Sequence, residues 1–471
     1  MPMMATPRPE RWQRWAGGPA LLLACACGAE ATPARGPNLI LVSIDSLRAD
    51  HLGCYGYGRD TSPFLDRLAA EGARFEEAVS TTSWTLPAHA AMFTGLVDTT
   101  HGVVDNGLAL SGSHLTLAEV LKRRGYQTAG FYGGPYLHPT FGLAQGFDRW
   151  QSCMSAMRAD LGTSAVRAAA MDENGASHDD VTGPRTLAEV RSWLAGGVHA
   201  PVFLFLHMWD VHYDYVPPPE YVERFDPGYD GPVDGRGVAV DESIAAGMDP
   251  RDRAHLVACY DGEIRFTDDI LERIFEELRG AGLLEDAVVV VTADHGEEFF
   301  EHGGKAHQRT LFDEVLRVPL IVWGPTRVPA GLECEEQVSL IDLMPTLARL
   351  GGVDEELAVQ GRDLGPFLAG GELAPREALA ELSVNDEALF ARRTRGEKLI
   401  VDERAGTSVR FDLLRDPAEQ NPLPASTTTP LDLLRRRAHG FQRFLGTRAD
   451  AWKGNAELVE TLRRLGYLGD G

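Results

Sequence analysis

Apolar runs alternate with amphipathic segments along roughly the first 350 residues of the chain. The β-branched runs at 38–44 and 287–292 predict buried parallel strands, and they end at or near Asp45 and Asp294. Further apolar strands are predicted at 202–206 and 320–323, and helices at 62–71, 115–124 and 268–279. Strands that alternate with helices indicate an α/β sandwich built on a mostly parallel central sheet.

Polar side chains follow several of these predicted strands. Asp45, His207, Asp210 and Asp294 all come at or just after a strand end. In such sheets, ligands bind beyond the carboxyl ends of the strands. We therefore expect these residues to converge at one edge, although for His207 and Asp210 the sequence favours a structural role as much as a functional one.

The pattern changes after about residue 350. Short segments typical of antiparallel strands follow, and a helix is predicted after them; the strands are at 378–383, 388–393, 398–402 and 408–413, and the helix at 431–445. We therefore predict a catalytic domain at 37–350 and a small α+β C-terminal domain at 351–471 that contains a short antiparallel sheet.

Composition restricts the class of protein. The chain has 471 residues, with 45 Lys and Arg against 69 Asp and Glu, and a formal net charge of −24. A hydrophobic content of 44% is typical of a globular domain. Because phosphate backbones are bound by clustered cationic side chains, the negative charge argues against nucleic acid as a partner. The oligomeric state is left open.

The N-terminus has the pattern of an export signal. A basic cluster precedes a short apolar run at 16–26, which is too short for a bilayer span of about 20 residues. We predict a signal peptide at 1–27 and a linker at 28–36. The segment 22–25 resembles the bacterial lipobox, which implies acylation of Cys25 and a membrane anchor without a spanning helix. The expected location is the periplasm or cell envelope; an uncleaved signal anchor is the alternative.

Four cysteines follow the leader: Cys54, Cys153, Cys259 and Cys334. They form no Cys-x-x-Cys pair, so zinc-finger and redox motifs are excluded. Disulfides and free thiols are both compatible with this spacing.

The segment 81–95, TTSWTLPAHAAMFTG, carries the most information about function. It resembles the signature of the sulfatase family, in which Cys or Ser is followed by x-Pro-x-Arg, four residues and Thr-Gly. Aligning the proline and the final Thr-Gly places Thr85 at the nucleophile position and His89 at the arginine position, so the resemblance implies that both are catalytic residues.

Other segments extend this resemblance across most of the chain. Residues 38–56 and 291–299 resemble the two metal-binding strands of the family, and similar segments lie at 316–325, 342–347 and 411–417. The chain thus resembles sulfatases within the alkaline phosphatase superfamily. That resemblance implies an alkaline-phosphatase-like three-layer sandwich and hydrolysis of a sulfuric or phosphoric ester.

The residues themselves predict a cation site. Asp45, Asp294 and His295 offer two carboxylates and an imidazole, which suit Ca²⁺ or Mg²⁺ if oxygen ligands dominate and Mn²⁺ or Zn²⁺ if the imidazole matters. Thr85, held against that divalent cation as a further ligand, would have its hydroxyl pKa lowered enough to attack the ester. A helix predicted to start near residue 88 would turn its amides toward the bound anion.

Further candidates come from the resemblance. His212 matches the family histidine that contacts the transferred group and can protonate the leaving oxygen. Lys305 and His307 lie where the family places basic residues on the anion. Arg48 is a further candidate for substrate binding, with an ion pair at the surface as the alternative.

Three departures from the family pattern change the expected mechanism. Thr85 is not the Cys or Ser that is converted to formylglycine, and His89 replaces the arginine that supports that group. Ser46 follows Asp45 where many sulfatases have a second aspartate, which would weaken a calcium site. The set is more similar to that of phosphate-handling relatives, namely alkaline phosphatases, nucleotide pyrophosphatases and phosphoglycerol transferases, which use an unmodified Ser or Thr.

The sequence therefore predicts a hydrolase of an anionic sulfate or phosphate ester. One alternative is an enzyme similar to phosphodiesterases or phosphoglycerol transferases that acts on envelope glycan or lipid. The other is an inert relative that binds an anionic polymer.

Overall fold

The computed structural model describes residues 36–155, 180–384 and 387–424. The predicted signal peptide with Cys25, all but Gly36 of the linker, and the predicted helix at 431–445 lie outside the described residues. The described residues from Gly36 onward belong to one compact unit. The predicted domain boundary at 350 stays a prediction.

A nine-stranded sheet forms the centre of the described residues, in the order β10-β2-β9-β6-β1-β5-β3-β4 with β11 also paired to β2. Two further short strands, β7 and β8, pair with each other. The bounds are β1 (Asn38–Ile44), β2 (Ala73–Val79), β3 (Gln127–Tyr132), β4 (Arg149–Ser152), β5 (Val202–Met208), β6 (Ala287–Ala293), β7 (Glu298–Phe299), β8 (Lys305–Ala306), β9 (Arg317–Trp323), β10 (Leu332–Cys334) and β11 (Val338–Ser339).

The predicted mostly parallel sheet is confirmed. Strand β1 pairs in parallel with β5 on one side and β6 on the other, while β9 runs antiparallel to β6 and β2. Every residue of β1, β5 and β6 is buried. This burial explains why these strands are continuous apolar runs rather than alternating ones.

Helices pack against this sheet: α1 against β2 and β9, and α4 and α5 against β3. Their bounds are α1 (Pro63–Glu71), α2 (Thr85–Thr94), α3 (Asp98–His101), α4 (Leu117–Arg123), α5 (Gly183–Ala195), α6 (Pro219–Phe225), α7 (Pro250–Gly280), α8 (Asp313–Leu316), α9 (Leu343–Leu350) and α10 (Gly365–Leu368). Short 3₁₀ turns lie at Ala49–His51, Gly53–Tyr55, Pro135–Leu137, Pro139–Phe141 and Leu340–Asp342.

Helix α7 is much longer than the predicted helix at 268–279. Carboxylates interrupt its apolar pattern, but the structure buries them with partners. Asp261 receives hydrogen bonds from Tyr57 and Arg59, and Asp268 accepts the two amides of Phe64 and Leu65 at the start of α1. These partners come from the region before α2, so the sequence of the helix alone does not reveal them.

The predicted C-terminal antiparallel sheet is also confirmed, in the order β12-β13-β14-β15-β16. Its strands are β12 (Ala378–Leu382), β13 (Leu389–Arg393), β14 (Glu397–Asp402), β15 (Thr407–Asp412) and β16 (Leu423–Pro424). The Glu381 amide in β12 donates to the Thr81 carbonyl at 2.8 Å. The small sheet therefore supports the segment that leads into α2.

Cys54, Cys153, Cys259 and Cys334 are all free thiols. Within the three described ranges, no helix is both long enough and apolar enough to cross a membrane.

Candidate active site

The carboxyl ends of β1, β5 and β6 bring the predicted site residues to one edge of the sheet. In the parallel pairs, Ile44 lies beside Met208 of β5 and Ala293 of β6. Asp45 directly follows β1, and Asp294 directly follows β6. The expected convergence of these acids is therefore present.

Four of the predicted residues form a close, buried cluster. His295 Nε2 lies 3.5 Å from Asp45 Oδ1 and 3.5 Å from Asp294 Oδ2. Thr85 Oγ1 lies 3.5 Å from Asp45 Oδ2 and 3.4 Å from His295 Nε2. All four residues are buried. Oxygen and nitrogen donors from β1, α2 and β6 thus surround one point.

Burial of these carboxylates is costly without positive charge. Burial raises the pKa of Asp45 from 3.8 to about 6, although His295 and hydrogen bonds from Ser46 and Thr85 oppose the rise. Ser46 adopts a φ of 55°. Its hydroxyl donates to Asp45 at 3.0 Å and its amide to Asp294 Oδ1 at 3.3 Å. Ser46 therefore orients both acids.

His207 adds an imidazole that sequence analysis left undecided. It lies opposite Ser43 in the β1–β5 register. Its Nε2 is 3.4 Å from Asp45 Oδ2, and its Nδ1 is 3.0 Å from the Gly133 carbonyl oxygen. The sequence signal was its position near the end of a buried strand, which would otherwise be apolar.

His89 is hydrogen-bonded to the nucleophile segment, and its Nδ1 also lies 3.8 Å from Asp294 Oδ2. Nδ1–H donates to the Thr85 carbonyl at 2.7 Å, and Nε2 accepts from the Ser43 hydroxyl at 3.1 Å. Burial and the neighbouring His207 lower the pKa of His89 to about 3, so the ring is neutral. These contacts favour a positioning role in place of the predicted catalytic one.

Asp210 is accounted for by secondary structure. Its carboxylate accepts from the Gly183 amide at 2.7 Å and also from the amide and hydroxyl of Thr182, at the start of α5. Burial raises the pKa of Asp210 to about 6. Capping a helix is thus sufficient to explain this residue.

His212 and His307 line one side of the cluster. The His307 ring centroid lies 4.3 Å from that of His295 and 5.0 Å from that of His212. Ala306 and Gln308, on either side of His307, have φ values of 65° and 66°, an uncommon backbone for residues other than glycine. Backbone strain of this kind is often found where a side chain must be aimed precisely.

Glu297 is a site residue that sequence reasoning missed. Its Oε1 lies 2.9 Å from His307 Nδ1, and its side chain is fully buried. Burial raises the pKa of Glu297 well above its usual range, and Asp45 adds to that rise. The signal available in the sequence was its place in Asp-His-Gly-Glu-Glu, two residues after His295.

Arg48 and Lys305 do not have the contacts expected of anion-binding residues. The Arg48 guanidinium bonds to the carboxylates of Asp50 and Glu301 and to the Glu297 carbonyl. Lys305 Nζ donates to the backbone carbonyls of residues 241 and 244 at 2.7 and 2.8 Å. Their cationic groups are already held by acids and carbonyls from other segments, and these contacts favour structural roles.

Comparisons with known proteins show the family of the chain. The family model described as Sulfatase matches residues 37–353. An ulvan-active sulfatase from Formosa agariphila is 25% identical over 427 residues, which span 82% of this chain and 77% of that protein. Arylsulfatase A of Homo sapiens is 28% identical over 406 residues, 76% of this chain and 73% of the relative.

The fold also has solved counterparts. The crystal structure of the phosphonate monoester hydrolase of Agrobacterium radiobacter matches with a TM-score of 0.66 and 24% identity, covering 88% of this chain and 96% of that one. The predicted alkaline-phosphatase-like fold is confirmed by such matches. Because the family model covers more than half of the chain, and because both relatives named above are sulfatases, this protein belongs to the sulfatase family and is an ester-bond hydrolase.

Proposed function

We propose that this protein cleaves a sulfate or phosphate ester by attack of the Thr85 hydroxyl beside a divalent cation. The observation that carries the proposal is the position of Thr85 Oγ1, 3.5 Å from Asp45 and 3.4 Å from His295 in a buried cluster. The name of the ulvan-active relative supports an anionic ester as substrate.

The donors around Thr85 fit a cation. Asp294 Oδ2 and His207 Nε2 are buried and have no hydrogen-bond partner among the described residues. Asp45, Asp294, His295 and the Thr85 hydroxyl would hold the ion. When bound, it would supply positive charge that lowers the pKa of the threonine hydroxyl and stabilises the negative charge that develops on the ester oxygens.

Thr85 begins α2, a ten-residue helix. Its hydroxyl would lose its proton to water, form a bond to the sulfur or phosphorus atom as the bond to the protonated leaving oxygen breaks, and be restored when a second water adds OH to that atom and returns its other proton to the threonine oxygen. The positive end of the helix dipole favours the anion during both steps. His307, hydrogen-bonded to Glu297, and His212 beside it supply imidazoles for protonating the leaving oxygen.

An unmodified threonine favours phosphorus over sulfur. A formylglycine hydrate can expel sulfate by elimination, whereas a sulfated threonine would have to be cleaved at a poor alkoxide leaving group. A phosphorylated threonine is hydrolysed more readily beside a metal. We therefore expect phosphate monoesters or diesters to be turned over faster than sulfate esters.

The experiment compares aryl sulfate, aryl phosphate and diaryl phosphate turnover for the native chain, Thr85→Val, Thr85→Ser and Thr94→Val. Thr94 is the matched control because it is buried in the same helix and its hydroxyl bonds to the Ala90 carbonyl. Thr85→Val is expected to lose about 10³-fold or more of kcat, while Thr85→Ser retains part of it.

Acid-quenched protein should carry one phosphoryl or sulfuryl group on the peptide that contains Thr85. Equal rates for Thr85→Val and Thr94→Val, with no such modified peptide, would refute the nucleophile. Silence of the native chain on all three substrates, with no bound metal, would instead favour an inert anion-binding relative.

Export and lipid anchoring are also part of the proposal, supported by the N-terminal sequence. Cys25→Ala is expected to move the protein from the membrane fraction to the soluble fraction of cells. An unchanged membrane association of this variant would contradict the anchor.

A further inference from the structure

His207 is held by two features of the fold. Strand β5 places it next to β1, and its side chain is fully buried. Its Nδ1 lies 3.0 Å from the Gly133 carbonyl oxygen, which can only accept a hydrogen bond. Nδ1 therefore carries the proton, and the lone pair of the neutral ring is on Nε2.

That lone pair faces the acids of the site. Nε2 is 3.4 Å from Asp45 Oδ2 and has no hydrogen-bond partner within the described part of the chain. A buried nitrogen lone pair that faces a carboxylate is unfavourable unless a positive charge lies between them. The arrangement suits a cation that both groups contact.

His295 is arranged in the same way on the other side of β1. Its Nδ1 donates to the Gly296 carbonyl at 2.9 Å, and its Nε2 lies 3.5 Å from both Asp45 and Asp294. Metal-binding histidines typically donate their second nitrogen to a carbonyl in this manner, which fixes the tautomer. Two imidazoles thus approach Asp45, His207 at Oδ2 and His295 at Oδ1.

His89 is the competing imidazole, because its ring lies 4.8 Å from that of His207 and it also approaches Asp294. Its two nitrogens, however, are bonded to the Thr85 carbonyl and the Ser43 hydroxyl. It offers no lone pair toward the acids without breaking one of these bonds. Of the two rings, only His207 has a nitrogen lone pair that is not engaged in a hydrogen bond with any described residue.

We propose that His207 Nε2 is a further ligand of the cation, and that two imidazoles, added to the two carboxylates and the Thr85 hydroxyl, select Zn²⁺ over Ca²⁺. This inference rests on the cation of the proposed function. His207 Nε2 lies 3.4 Å from Asp45 Oδ2, and His295 Nε2 lies 3.5 Å from Asp45 Oδ1 and from Asp294 Oδ2, so these donors are close enough to contact one ion. Calcium prefers six to eight oxygens, whereas imidazole suits zinc.

The test uses the purified chain stripped of metal. Zn²⁺ and Ca²⁺ are titrated calorimetrically into the native protein, His207→Gln, and His101→Gln, a control at another buried histidine outside the cluster. His207→Gln is expected to weaken Zn²⁺ binding by about tenfold or more relative to native protein and control, with little change for Ca²⁺. X-ray absorption of the zinc-loaded native protein should show two imidazole ligands, and one in His207→Gln.

The absorption measurement on native protein keeps the proposal falsifiable if a variant fails to fold. A single imidazole in native protein, or unchanged Zn²⁺ affinity in folded His207→Gln, would overturn it. If either result is found but Asp45→Asn abolishes Zn²⁺ binding, the His207 ligand is wrong and the cation of the proposed function remains. If native protein binds no divalent cation at all, the proposed function fails as well, and the two failures are therefore distinguishable.

Discussion

Removing the two hydrogen bonds of His89 is expected to destabilise the protein and slow catalysis without releasing the metal. His89→Leu keeps an apolar side chain of similar size but can no longer donate to the Thr85 carbonyl or accept from the Ser43 hydroxyl. His89→Gln, which can do both, is the matched comparison.

The magnitude follows from the two bonds. The ring is neutral because burial lowers the pKa of His89 to about 3, so each bond contributes about 0.5–1.5 kcal/mol and the pair about 1–3 kcal/mol. The Thr85 carbonyl also loses its anchor at the start of α2. A displacement of the nucleophile by about 1 Å can cost about 100-fold in rate.

Urea unfolding of metal-free protein measures the stability, calorimetry with Zn²⁺ measures the affinity, and steady-state kinetics gives kcat. We expect His89→Leu to have a lower stability and a lower kcat but an unchanged affinity for Zn²⁺. His89→Gln should retain most of the native stability and most of the native kcat. A loss of Zn²⁺ binding in His89→Leu as large as that in Asp45→Asn would refute the reasoning, because it would make His89 a ligand.

Three further outcomes are expected. Glu297→Gln should slow the hydrolysis of alkyl esters more than that of aryl esters, because only poor leaving groups need the proton that His307 would deliver in the proposed mechanism. The adjacent Glu298→Gln is the control. Equal losses of rate in both variants would contradict a role for the Glu297–His307 pair. Burial raises the pKa of Asp268 from 3.8 to about 7. Between these two pH values the folded protein retains a proton that the unfolded chain releases, so the free energy of unfolding falls as the pH rises from 3.8 to about 7. Asp268→Asn should flatten this decline, by about 4 kcal/mol at most, in urea titrations across pH, and an unchanged slope would contradict it. Asp210→Ala should lower the free energy of unfolding by about 2–4 kcal/mol and leave Zn²⁺ affinity unchanged, since its carboxylate caps α5; metal loss in a stable variant would reverse that assignment.

The sequence predicted the strands that carry the two acids because that information is local. The runs at 38–44 and 287–292 are mostly apolar, which is typical of strands buried on both faces, and an aspartate follows each closely. Thr85 is predicted as the nucleophile from a family resemblance that the proline and Thr-Gly of one short segment carry. Such features need only neighbouring residues, so a linear pattern was sufficient for them.

The roles of His207, His89 and Arg48 depended on partners that are distant in the chain. His207 faces Asp45, which lies 162 positions earlier, and Arg48 pairs with Glu301, 253 positions later. No periodicity encodes which of these polar groups meet. Hydrogen bonds and ion pairs act over only a few ångströms, so only the packing of β1, β5 and β6 at one edge decides that His207 Nε2 is left without a hydrogen-bond partner among the residues the structure describes, whereas the Arg48 guanidinium is paired with carboxylates.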